Sequence, residues 1–108
     1  MNSDTQIAWA AGIFEGEGCI TRTHTSMGML QLRMTDLDVV QKFVDIMGYG
    51  NIVQEPTLPS GKDVWCWRVG KRNQVYRMLE LLLPHLMSRR AYAAQNILDD
   101  FDNKYPII

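Results

Sequence analysis

The chain lacks the means for a disulfide framework or a zinc cage. Its 108 residues include two cysteines, Cys19 and Cys66, far from any CxxC spacing, and two histidines, His24 and His85. Cysteines so placed are expected to be reduced residues in strands, in a reducing intracellular compartment, and a structural zinc site is not expected. No run is long and apolar enough to span a membrane. The N-terminus has no basic region followed by an apolar one, so secretion is not expected. No Ser/His/Asp or Cys/His set suggests a nucleophilic hydrolase, and no segment repeats. Excess charge is missing too: 11 basic against 12 acidic residues give a net charge of −1. That balance argues against nucleic-acid binding as a default, since such domains are usually basic.

What is present points to one globular domain over residues 1–108. Nearly half the residues are apolar, and a domain of this size buries over about 60% of its unfolded surface, enough to fold alone. The charges are segregated. Asp99, Asp100 and Asp102 cluster near the end, whereas Arg22, Arg33, Lys62, Arg68, Lys71 and Arg72 fall in the middle, among expected strands and loops. A locally basic face on a neutral protein follows.

The chain is organised around Ile7–Gly18, Ile-Ala-Trp-Ala-Ala-Gly-Ile-Phe-Glu-Gly-Glu-Gly. Ser3 and Gln6 form the spacing of a capping box and start a helix. Gly16 and Gly18 are expected to end it in the left-handed conformation. Ala8 and Gly12, with Ala11 beside them, leave a helix face nearly free of side chains. Glu15 and Glu17 fall at the helix C-terminus, where the dipole favours a cation. A metal ion or full solvation would resolve that conflict.

After the glycines, Cys19–Thr25 is rich in β-branched residues and reads as a strand, turned by Ser26–Gly28. Met29–Met34 alternates, with Leu30, Leu32 and Met34 on one face and Met29, Gln31 and Arg33 on the other. If Ile20 points inward, Thr21 and Thr23 share the outer face with Gln31 and Arg33. Thr35 or Asp36 caps a helix whose apolar residues run Leu37, Val40, Phe43, Val44, Met47, stopped by Gly48-Tyr49-Gly50. Asn51–Glu55 is a short strand, and Pro56–Lys62 a loop. Asp63–Val69 is a strand with Trp65, Trp67 and Val69 inward and Val64, Cys66 and Arg68 outward. Helices are expected over Asn73–Leu83 and Ser88–Phe101, separated by Pro84, with a tail from Lys104. The order is α-β-β-α-β-β-α-α.

Ala10-Ala11-Gly12-Ile13-Phe14-Glu15-Gly16-Glu17-Gly18 resembles the nine-residue motif of the LAGLIDADG homing endonucleases, with Ala11, Gly12 and Gly18 identical and Glu at both acidic positions. The element order resembles one such domain over nearly the whole chain. The resemblance implies an α+β fold of αββαββα type, with a saddle-shaped, four-stranded antiparallel sheet backed by helices and laid on the DNA major groove. One motif implies a homodimer joined along Ala8, Ala11, Gly12 and Glu15. It implies a homing endonuclease acting on a partly palindromic double-stranded site, borne on a mobile element, with DNA rather than a small molecule as substrate. The starting Met and short length fit a free-standing or intron-encoded product better than an intein insert.

The same resemblance puts a metal, Mg2+ or another divalent cation, on Glu17 with help from the Gly16 carbonyl. It gives Asp36 and Arg89, with Arg90 as a substitute beside it, roles around the scissile phosphate, and leaves Glu15 to the structure of the turn. Chemically, magnesium suits carboxylate and phosphate oxygens. Of the outward side chains, Arg33 and Arg68 suit guanine and Gln31 adenine, with Thr21, Thr23 and Asn51 as weaker contacts. Lys62, Lys71 and Arg72 suit phosphates. The alternative is a non-cleaving DNA-binding regulator or intron maturase on the same fold.

Overall fold

The computed structural model describes residues 3–22, 28–56 and 58–104. Its elements are α1 (Asp4–Glu17), β1 (Gly18–Thr21), β2 (Met29–Met34), α2 (Leu37–Met47), β3 (Asn51–Glu55), β4 (Val64–Val69), α3 (Arg72–Leu82), a 3-10 turn (Leu83–His85) and α4 (Ser88–Lys104). The α+β order is as the sequence predicts. The outer half of the first strand, including Thr23 and His24, lies outside the described residues.

The strands form one sheet in the order β1-β2-β4-β3, every pair antiparallel. Alternation decides which residues go inside. Leu30, Leu32, Trp67 and Val69 point to one face and meet Phe14 of α1 and Phe43 of α2 in a buried core. Phe43 stands edge-on to Trp67, with ring centroids 4.8 Å apart, and stacks on Phe14 at 6.3 Å. Val75, Met78, Leu79 and Leu82 bring α3 into the same core, and Ala94 and Ile97 bring α4. The helices therefore cover one face of the sheet.

Capping follows the sequence at the start of α1. Ser3 Oγ accepts from the Gln6 N–H at 3.2 Å, and Gln6 Oε1 accepts from the Ser3 N–H at 2.9 Å. The other end departs from expectation. Gly18 is extended (φ −77°, ψ 160°), not left-handed. Its reason for being glycine is proximity: a Cβ there would sit 2.4 Å from Phe14 Cδ1 and 2.6 Å from Phe14 O. The chain leaves α1 directly into β1 and doubles back against its last turn. Left-handed closure belongs instead to α2, where Gly48 has φ 82° and its N–H donates to Val44 O at 2.7 Å.

Candidate active site and nucleic-acid interface

Ile7, Ala10, Ala11 and Phe14 recur at helical spacing and pin one side of α1 into the core. That rotation decides what the rest of the helix presents. Ala8, Gly12 and Gly16 are exposed in a line, and a Cβ added at Gly12 or Gly16 would meet nothing within 4 Å. Ala11, expected on this seam, is fully buried in the chain's own core. The exposed small-residue strip is therefore Ala8, Gly12 and Gly16.

The two glutamates of the motif have different environments. Glu15 is held within the chain: its Oε2 accepts from Arg90 Nη1 at 3.0 Å, and its Oε1 accepts from the Met87 N–H. Arg90 also donates to Gly18 O from Nη2 at 2.8 Å and from Nε at 3.2 Å. One guanidinium thus ties together the carboxylate and the carbonyl that flank Glu17. It also places positive charge at the negative end of the α1 dipole. Glu15, half-buried, is a strut within the fold.

Glu17, one residue from that clamp, is exposed. It lines an open hollow of about 380 Å³ with Arg33, Met34, Thr35, Asp36 and Val64. Two of the three residues expected to do chemistry, Glu17 and Asp36, are therefore brought together. Asp36 occupies the N-cap position of α2 but makes no side-chain capping hydrogen bond, while its backbone carbonyl accepts from Val39 and Val40. Its carboxylate is available to the hollow. Asp36→Ala should accordingly shift the melting temperature only slightly, whereas removing a working cap costs about 0.5–2 kcal/mol; thermal denaturation of the two proteins tests this. Arg89 is exposed on α4 and is not among the residues lining the hollow. Its neighbour Arg90 makes the contact with the motif.

The other face of the sheet carries the expected DNA-reading residues. Register sets Cys19, Gln31, Arg68 and Asn51 across the four strands in one row, and Arg33, Cys66 and Val53 in the next. Thr21 shares this face opposite Met29. Gln31 is half-buried and Arg68 exposed. At the far end of β4, Arg68, Lys71, Asn51 and Gln74 line a second hollow of about 240 Å³. Arg72, also exposed, begins α3, and Lys62 closes the β3–β4 loop, its carbonyl accepting from the Leu58 N–H at 3.0 Å.

One contact on this face joins residues far apart in the chain. Arg33 on β2 and Glu55 on β3 reach across β4 to each other: Nε lies 2.7 Å from Oε1, and Nη2 donates to Oε2 at 2.9 Å. The pair crosses β4 where Cys66 and Val64 point outward yet are buried. Burial pushes the Cys66 thiol above its ordinary pKa, an effect the neighbouring Arg68 partly offsets. Alternation along β2 put Arg33 on the outer face, but only the strand order shows that Glu55 is within its reach.

This architecture has counterparts among solved structures. The archaeal intron-encoded homing endonuclease I-Vdi141I, complexed with DNA, matches with a TM-score of 0.70 over 93% of this chain and 70% of its own, at 14% identity. The homing endonuclease I-CvuI, in complex with DNA in the presence of Mg, matches with a TM-score of 0.68 over 89% of this chain, at 22% identity. The group I intron-encoded I-CeuI, complexed with DNA, matches with a TM-score of 0.68 over 96% of this chain, at 12% identity. The fold is that of the LAGLIDADG homing endonucleases. The chain spans 66% of the I-CvuI chain and 58% of the I-CeuI chain. No protein-family model and no curated protein matches it. In the LAGLIDADG fold seen here, α1 carries the motif and the sheet face beside Glu17 is the one not covered by helices.

Proposed function

We propose that this chain is one half of a homodimeric, magnesium-dependent, site-specific DNA endonuclease. One observation carries the reading: Glu17, at the end of the motif helix, shares a hollow with Asp36 beside the uncovered sheet face. Structures of the same fold hold DNA, and I-CvuI was solved with Ca and with Mg.

The exposed strip of Ala8, Gly12 and Gly16 supports the dimer, because a helix without side chains lets a second backbone approach closely. A two-fold partner crossing there brings its own Glu17 next to the first. Two carboxylates so close resist joint ionisation unless a cation lies between them. The donor set fits a hard divalent ion: carboxylate oxygens at the carbonyl end of a helix, with no sulfur or imidazole. No cluster of three or more His, Cys, Asp or Glu suited to a metal occurs among the described residues of one chain; in the proposed dimer the second copy and the phosphate would add ligands. Glu17 and the Gly16 carbonyl would hold the ion, which when bound supplies Lewis acidity for phosphodiester hydrolysis. Asp36 orients water within the hollow. Arg90 fixes the turn from which Glu17 projects. The basic residues of the sheet and of the α3 start neutralise phosphates and align the duplex, and a two-fold dimer reads a partly palindromic site.

The test is incubation of the full chain with a randomised duplex library in Mg2+ and in EDTA, followed by sequencing of the ends. A recurring, roughly palindromic cut in Mg2+ alone is the expected result. Bound sequence enriched without cutting would replace this reading with a DNA-binding regulator or maturase.

A further inference from the structure

The Arg33–Glu55 pair belongs neither to the core nor to the motif, yet it spans the middle of the proposed DNA-reading face. Three features separate it from an ordinary surface ion pair. It is close: Nη2 donates to Oε2 at 2.9 Å, and Nε lies 2.7 Å from Oε1, a buried oxygen that accepts no hydrogen bond. It crosses β4 where the thiol of Cys66 and the side chain of Val64 are buried. Its exposure is asymmetric: the Arg33 side chain is 53% exposed and that of Glu55 only 22%. The carboxylate is therefore the backing, and the guanidinium is the part offered to solvent.

Which edge of the guanidinium is used matters. Glu55 takes the side formed by Nε and Nη2. The distal edge, Nη1 with the remaining hydrogen of Nη2, stays open, and it presents two parallel N–H groups. Guanine offers two parallel acceptors, O6 and N7, on its major-groove edge. An arginine held by a carboxylate loses little rotamer freedom on meeting that edge, so its preference for guanine over other bases sharpens.

We propose that Glu55 is a specificity-determining residue, holding Arg33 in the orientation that reads one guanine per half-site. This rests on the DNA-binding reading above. Because Arg33 also lines the hollow that holds Glu17 and Asp36, the guanine it reads lies in the base pairs next to the cut. The sequence does not show this, since Arg33 and Glu55 lie 22 residues apart on strands that β4 separates in the sheet.

The experiment selects sequences bound by the full chain from a randomised duplex library, for the parent, Glu55→Gln, Glu55→Ala and Arg33→Lys, with the melting temperature of each as a control on folding. The parent should enrich a guanine symmetrically in both half-sites. Both Glu55 variants should bind duplex but lose on the order of tenfold in preference at that position alone. Arg33→Lys should keep non-specific binding and lose the same preference. If the Glu55 variants enrich the parent's sequence unchanged, the pair is structural and the proposal fails while the DNA-binding reading stands. If they bind more tightly with unchanged preference, Glu55 competes with DNA for Arg33, and the proposal is again overturned. If the parent enriches nothing, the DNA-binding reading itself falls.

Discussion

Glu17→Gln is expected to abolish magnesium-dependent cleavage while leaving duplex binding intact. The side chain keeps its length and loses its charge, so in the proposed dimer a cation would lose its anionic ligand in both halves. Loss of several kcal/mol of transition-state stabilisation, which is what a metal acting as Lewis acid supplies, corresponds to at least about a hundredfold in rate. Stability should move the other way. Glu17 is the last residue of α1 and is exposed. A negative charge there opposes the helix dipole, and removing it should stabilise the fold by roughly 0.3–1 kcal/mol. A variant that is dead, slightly more stable and still binds DNA has lost chemistry and not structure. Single-turnover cleavage, DNA binding in EDTA and a melting curve on one preparation give the three readouts. Undiminished cleavage by Glu17→Gln would move the catalytic assignment elsewhere.

That the motif helix was legible in the sequence, and its environment only partly, follows from how far each relation reaches. Ser3 and Gln6 cap each other across one turn, so local chemistry was enough. The alternation of Met29–Met34 and the spacing of Leu37, Val40, Phe43, Val44 and Met47 are likewise local; the faces they predict are those observed except at Leu37, which is exposed in the first turn of α2. What escaped depends on partners distant in the chain. The closure of α1 was expected from left-handed glycine, but Gly18 is set by the approach of its backbone to Phe14. Ala11 was grouped with Ala8 and Gly12 because all are small, yet the helix rotation imposed by Ile7, Ala10 and Phe14 buries it. Arg89 and Arg90 are adjacent in sequence but Arg89 is exposed while Arg90 meets the motif, because successive residues on a helix face about 100° apart. Only the packing of α4 on the end of α1 selects Arg90 as the clamp.

Trp67→Ala is expected to be the most destabilising single substitution in the sheet. Trp67 is fully buried at the centre of β4, edge-on to Phe43. Its Nε1–H donates to Tyr49 O at 2.7 Å, tying the sheet to the turn after α2. That turn is shaped around the indole: Gly50 has φ 92°, and a Cβ on it would lie 2.2 Å from Trp67 Nε1. Truncation removes a large side chain, at about 3–5 kcal/mol, and leaves a part-buried carbonyl without its donor, at about 0.5–1.5 kcal/mol more. Against the 5–15 kcal/mol typical of a whole domain, the sum takes the chain to the edge of unfolding. At roughly 4–8 °C per kcal/mol, the melting temperature should fall by about 20 °C or more. Trp67→Phe separates the two contributions, because it keeps most of the ring packing and loses the hydrogen bond. It should sit between the parent and Trp67→Ala in urea denaturation. Equal midpoints for Trp67→Phe and the parent would mean that the indole N–H contributes nothing. A Trp67→Ala protein melting within a few degrees of the parent would mean that β4 is not the centre of the core. Because Cys66 and Arg68 flank Trp67 on the opposite face, loosening at this position should also spread to the proposed DNA-reading row, weakening base preference before the fold is lost.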